Sequence, residues 1–203
     1  MRTSKHIHSC LVVEEAGKRF LLDPGQYTHE AKALDLESLD NLDYLLITHE
    51  HPDHLYTPFV KEIVAKFPQV KIMTNSSIVE ILGKEGIKAG AEGDELVKIE
   101  EVPHEKIFGV EVPKNVMFTI SGKLADPGDS HHFKTSAPVV ALPVQAPWGS
   151  TTAAVEWAQS LKPEVIIPIH DWHWHDAARE WMYQRLEKYF DSLGIKFLGL
   201  ETG

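Results

Sequence analysis

The 203-residue chain carries 20 basic and 30 acidic side chains, a formal net charge of −10, with 43% hydrophobic residues. That length and apolar content suit a single domain, 1–203, with a sizeable core, and the acid excess argues against a surface built to collect phosphate backbones, so nucleic acid is not an expected partner. Residues 1–8 are polar and no apolar run approaches the roughly 20 residues that span a bilayer, so no membrane insertion is expected and the location is read as cytoplasmic. The single cysteine, Cys10, excludes an internal disulfide framework, and its place in the apolar run 10–13 reads as a packed thiol.

Taken in order, runs 7–13 and 19–22 are β-like, and Glu15-Ala16-Gly17-Lys18 between them reads as a hairpin turn. Residues 27–42 are polar with scattered leucines and read as a loop plus a short helix. Run 44–47 is a short buried strand, and Thr57 as N-cap with Pro58 at the first helical position starts a helix to about residue 67. A strand at 70–74 precedes a helix at 76–84, capped by Asn75 or Ser76 and followed by Gly86. Further strands are expected at 96–102, at 116–120 and 122–125 as a hairpin, and at 138–143. The loop Ala146-Pro147-Trp148-Gly149-Ser150 then leads to a helix at 151–161, where Ala154, Trp157, Ala158 and Leu161 share a core-facing stripe and Pro163 marks the stop. Run 165–169 is a strong strand, Asp176 is expected to cap an amphipathic helix at 177–190, and 195–198 supplies an edge strand. The interleaving of strands and helices is α/β.

Within this pattern, Thr48-His49-Glu50-His51-Pro52-Asp53-His54-Leu55 places three imidazoles and a carboxylate in six positions, directly after a strand. A core does not need that density of ligands. Residues two apart in extended chain point the same way, so His49 and His51 can grip one ion, and Asp53 and His54, further round the turn, can hold a second. Imidazole and carboxylate suit zinc, manganese or iron. Downstream, Asp129 in Pro127-Gly128-Asp129 stands at a turn from which a carboxylate could reach two cations at once. It also reads as an ordinary turn aspartate.

The pattern His49-x-His51-x-Asp53-His54 resembles the signature of the metallo-β-lactamase superfamily. The resemblance extends from about His8 to His170, through Asp23 in Leu21-Leu22-Asp23-Pro24-Gly25, His104 after Pro103, Asp129 in Gly128-Asp129-Ser130, and His170 after 165–169. Within that superfamily the chain is most similar to small metal-dependent hydrolases such as ascorbate-phosphate lactonase and the N-acylethanolamine phospholipid hydrolases. The resemblance implies a four-layer αββα sandwich with the site at one rim. It implies two divalent transition metal ions, zinc being the leading choice beside manganese and iron, one held by His49, His51 and His104 and the other by Asp53, His54 and His170, with Asp129 shared. Asp23 would orient a metal-bound imidazole by accepting its second N–H.

The activity so implied is hydrolysis of a small ester, lactone, amide or phosphodiester by a dinuclear metal-bound hydroxide, with Asp53 and Asp129 as the catalytic carboxylates. His8, His131, His132, Trp148 and His173 are expected to meet the substrate, a small molecule. Two other classes stay open: a di-iron redox protein on the same scaffold, and a metal-binding module without turnover. Homo-oligomerisation is left open as well.

Overall fold

The computed structural model describes residues 1–134, 137–146 and 148–200. Five strands form the first sheet: β1 (Arg2–Lys5), β2 (Leu11–Glu15), β3 (Lys18–Leu22), β4 (Tyr44–Leu46) and β5 (Lys71–Met73), in that spatial order. The β1–β2 and β2–β3 pairs are antiparallel, and β4 runs parallel to both β3 and β5. Helix α1 (Gln26–Glu30) falls between β3 and β4, α2 (Thr57–Lys66) between β4 and β5, and α3 (Ser76–Lys84) follows β5. The second sheet contains β6 (Val97–Glu101), β7 (Val116–Ile120), β8 (Leu124–Asp126), β9 (Val139–Pro143), β10 (Val165–Ile169) and β11 (Lys196–Phe197), ordered β11-β10-β9-β8-β7-β6. Helices α4 (Thr151–Leu161) and α5 (Asp176–Ser192) lie between β9 and β10 and between β10 and β11.

The layering follows from period-two side-chain alternation. Leu11, Val13, Phe20, Leu22 and Leu46 of the first sheet meet Val116, Phe118, Ile120, Ala141, Ile167 and Ile169 of the second in one cluster between the sheets. Their neighbours Val12, Leu21 and Leu45 point the other way, onto Phe59, Val60 and Ile63 of α2 and Ile78 and Leu82 of α3. On the far side, Val140, Leu142 and Ile166 pack on Ala154 and Ala158 of α4 and on Leu186 and Phe190 of α5. Helix, sheet, sheet and helix thus make the four expected layers. Among the described residues no helix is long and apolar enough to cross a membrane.

Several expected boundaries shift for local reasons. The first run is broken: β1 and β2 are separated by a turn with Ile7 at φ 69° and His8 at φ 54°, so His8 is not a strand residue. Helix α2 begins at Thr57, with Tyr56 at the cap position and no side-chain cap, whereas Asn75 caps α3 by accepting from the Ser77 and Ile78 amides. The cap of α5 is His175, whose Nδ1 accepts from the Ala177 amide at 3.4 Å, so Asp176 is the first helical residue and places its charge in the favourable first turn. The Cys10 thiol is fully buried as read, and burial pushes its pKa up to about 12. Pro147 of the 146–150 loop lies outside the described residues.

Candidate metal centre

The two sheets deliver their ligand-bearing residues to one rim. The first sheet contributes His8 from the β1–β2 turn, Asp23 from the end of β3, and the segment 48–54 after β4. The second contributes His104 after β6, Asp129 after β8 and His170 after β10. Two glycines allow the close approach. A Cβ on Gly25 would lie 1.8 Å from the Asp53 carbonyl oxygen, and one on Gly128, at φ 56°, would lie 2.3 Å from Asn115 Oδ1.

The side chains form two groups of converging donors, one of His49, His51, His104 and Asp129, the other of His8, Asp53, His54 and His170, each with its ligand atoms within 4.8 Å of one another. Asp129 joins them. Its Oδ2 lies 3.7 Å from His49 Nε2, 3.5 Å from His104 Nε2 and 3.2 Å from His170 Nε2, and its Oδ1 lies 3.3 Å from His54 Nε2. Asp53 Oδ2 is 3.5 Å from His170 Nε2 and 3.9 Å from His54 Nε2.

The far nitrogens of the rings are tied back. His54 Nδ1 donates to Asp23 Oδ2 at 2.7 Å, His104 Nδ1 to the Glu105 carbonyl at 2.6 Å, and His170 Nδ1 to the Gln145 carbonyl at 2.6 Å. Each such bond leaves Nε2 as the atom that faces the centre. Asp23 is itself held by the Thr48 amide at 2.8 Å and the Thr48 hydroxyl at 2.7 Å. Asn115 serves Asp129: its Nδ2 donates to the Pro127 carbonyl at 2.8 Å, and its Oδ1 accepts from the Asp129 amide at 3.4 Å.

The donor set fits metal ions. Among the described residues His54 Nε2, His104 Nε2 and Asp129 Oδ1 are buried without a hydrogen-bond partner. Buried polar atoms are ordinarily satisfied, and orphans clustered at one point require a missing partner. His49 Nε2 and His51 Nδ1 face each other at 3.1 Å, an arrangement that a cation between the rings would satisfy.

Without a cation the imidazoles divide their protons unevenly. Burial, then the His54 charge, holds His49 well below its ordinary pKa, and burial with the His170 charge lowers His8 to about 3. Burial opposes a charge on His170 and His54 too, but Asp129 with Asp53 together outweigh it at His170, and Asp129 with Asp23 together outweigh it at His54. His170 rises to about 9 and His54 well above its ordinary value. Against its own burial, the Asp129 carboxyl is held well below the usual range by His170, His54 and His49.

The expected substrate-facing residues separate. His8 is buried at 1% exposure and sits in the second group, where its Nδ1 accepts from the Trp172 amide at 3.4 Å and its Nε2 donates to Asp53 Oδ2 at 3.1 Å. His131 is buried too, with Nε2 committed to the Pro143 carbonyl at 2.9 Å, while His132 is exposed, with Nε2 3.3 Å from Glu105 Oε2. Trp148 and His173 lie beside the ligands. Trp148 Nε1 donates to Asp129 Oδ2 at 3.2 Å, and the His173 ring stands 5.4 Å from His8 and 6.0 Å from His170 between centroids. Tyr27, which carried no sequence signal, pairs its hydroxyl with His173 Nε2 at 3.1 Å. Thr48 could have been suspected from its place beside the motif, whereas nothing marked Asn115.

Backbone strain collects here as well. His8, Asp23 and His170 all have positive φ, at 54°, 43° and 60°. Non-glycine residues in this region cost about 1–3 kcal/mol each and persist only where the surroundings over-determine them.

The fold and site have recognisable relatives. The beta-lactamase superfamily domain matches residues 3–170. Protein Rv0786c of Mycobacterium tuberculosis is 29% identical over 193 residues, 88% of each chain, and a UPF0173 metal-dependent hydrolase of Geobacillus sp. (strain WCH70) is 26% identical over 197 residues, 84% of this chain and 85% of its own. Among solved structures, Igni18, a metallo hydrolase from Ignicoccus hospitalis, superposes with a TM-score of 0.70 at 20% identity over 99% of this chain and 95% of its own. With a family match over most of its length, two facing sheets and these ligands at one rim, the chain belongs to the metallo-β-lactamase superfamily.

Proposed function

We propose that this chain is a metal-dependent hydrolase that uses two divalent ions, zinc foremost, to cleave a small ester, lactone, amide or phosphodiester. The observation that carries this reading is the convergence of unpartnered Nε2 atoms of His54 and His104 with the unpartnered Asp129 Oδ1, in two donor groups joined by one carboxylate. His49, His51 and His104 would hold one ion, Asp53, His54 and His170 the other, and Asp129 would be shared. Bound there, the ions supply an activated water nucleophile and a Lewis acid for the carbonyl or phosphoryl oxygen.

The chain's own residues do the rest. Asp23, the Glu105 carbonyl and the Gln145 carbonyl fix three imidazoles by their far nitrogens, so the site is preorganised rather than assembled on binding. His8 does not act as a ligand in this scheme: with Nδ1 occupied by the Trp172 amide, its Nε2–H orients the Asp53 carboxylate. Trp148, His173 and Tyr27 frame the approach, the first touching the shared carboxylate and the other two joined to each other. The net charge of −10 favours a small polar or anionic substrate, drawn locally to the cations, over a long polyanion.

Metal analysis of the purified chain and a panel of lactones, aryl esters, bis-aryl phosphodiesters and a structured RNA test this reading. Two ions per chain with turnover of at least one small substrate are expected. Efficient RNA cleavage with nothing on the small molecules would overturn the substrate class, and failure to take up zinc, manganese or iron would overturn the whole reading.

A further inference from the structure

A lysine at the far edge of the first sheet is the most unusual buried group outside the donor clusters. Lys5 ends β1 and is only 1% exposed. Its ammonium has three N–H groups and three acceptors: the Pro168 carbonyl at 2.8 Å, Asp171 Oδ2 at 2.6 Å and the Tyr183 hydroxyl at 3.1 Å. The Tyr183 hydroxyl in turn donates to Asp171 Oδ2, and Asp171 is 2% exposed. The acceptors lie in β10 (Pro168), in the segment just after it (Asp171) and in α5 (Tyr183), so one side chain of the first sheet is tied to the second sheet and its helix.

Burying a cation is costly, whereas the cluster between the sheets is built of apolar side chains. What the charge adds is direction. His8 follows Lys5 by three residues and His170 precedes Asp171 by one. The His170 amide donates to the His8 carbonyl at 3.3 Å, and the two rings lie 4.1 Å apart between centroids. Both residues, and Ile7 beside them at φ 69°, hold left-handed backbone that needs external constraint. The Lys5 network attaches to the chain on both sides of that contact, at Lys5 before His8 and at Asp171 after His170.

We propose that Lys5, Asp171 and Tyr183 form a positioning network that builds the donor group of His8, Asp53, His54 and His170, while the group of His49, His51 and His104 stands without it. This rests on the metal reading above. The second half follows from placement: His49 and His51 are carried by the segment after β4 and His104 by the segment after β6, and among the described residues the hydrogen bonds of Lys5 go to Pro168 in β10, Asp171 just after it and Tyr183 in α5. None of the three network residues belongs to either donor group, so they act through His8 and His170.

The test is zinc titration by calorimetry, with elemental analysis, on the full chain and its variants. The wild type should take two equivalents. Lys5→Met should keep one and bind the second at least about tenfold more weakly, and adding His51→Ala to it should remove the ion that remains. Because Lys5→Met leaves Asp171 buried without its cation, the Lys5→Met/Asp171→Leu double variant replaces the pair by apolar side chains to restore folding. It should still bind only one equivalent tightly. Tyr183→Phe, which leaves the Lys5–Asp171 pair in place, should weaken the second ion alone. A folded Lys5→Met, or a folded double variant, that binds both ions like the wild type would overturn the proposal and leave the metal reading standing. A wild type that takes up no ion would overturn the metal reading itself.

Discussion

His54 and Asp23 meet at 2.7 Å, Nδ1 to Oδ2, both fully buried and 31 positions apart in sequence. The contact aims His54 Nε2 at Asp129, and the same carboxylate receives the Thr48 amide and hydroxyl, so one aspartate fixes both the start of the ligand segment and a ring within it. Asp23→Asn would place an amide N–H against the His54 N–H or cost the Thr48 bonds. Metal affinity is expected to fall about 10- to 100-fold, measured by competition with a chromophoric chelator, and an unchanged affinity would remove Asp23 from the design of the site.

Asp129→Ala and His175→Ala should separate the carboxylate between the two donor groups from a helix cap. The first removes the carboxylate that reaches both donor groups, and both metal content and turnover should collapse. The second removes only the acceptor for the Ala177 amide, costing about 0.5–1 kcal/mol in a denaturant melt with metal content unchanged. Two ions and full turnover in Asp129→Ala would reduce Asp129 to a turn residue.

Gly25→Ala should be among the most damaging single-methyl additions in the chain. Its Cβ would fall 1.8 Å from the Asp53 carbonyl oxygen and 2.7 Å from the His54 amide, both backbone atoms that no rotamer change can move aside. A loss of about 3 kcal/mol or more is expected, with metal content reduced because the displaced segment carries Asp53 and His54 of one donor group. Gly17→Ala serves as the contrast, since its Cβ meets nothing within 4 Å, although its φ of 72° still carries a strain cost.

The metal-free protein should lose stability as pH rises above neutrality. His170 is raised to about 9 and His54 well above its ordinary value, both chiefly by Asp129 against the opposing effect of burial. Groups whose folded pKa exceeds the unfolded value of about 6.5 stabilise fully below that value and lose the contribution as pH rises through the folded one. Urea midpoints of chelator-treated protein should therefore fall between pH 7 and about 9.5. Zinc uptake near pH 7.5 should release about two protons, because each ring must free its Nε2, as read from calorimetry in buffers of different ionisation enthalpy. No proton release would mean that these rings are neutral before binding.

What the sequence determined by itself was the set of local patterns. Apolar runs of four or five residues located the buried strands, Asn75 announced α3, and the density of ligands in 49–54 marked the centre of the site, because each of these signals is carried by neighbours in the chain. The resemblance to the superfamily suggested His104, Asp129 and His170 at their strand ends, and the structure brings all three to the same rim. What only the tertiary structure decided were relations between distant segments. The left-handed turn at Ile7 and His8 meets the His170 amide just after β10, the His175 cap replaces the expected Asp176 through backbone geometry, and Tyr27, Asn115 and Lys5 have their partners 146, 14 and as many as 178 positions away. A hydrogen bond is short and directional, so a lone polar residue in a sequence carries no trace of the partner that the packed sheets bring into reach of it.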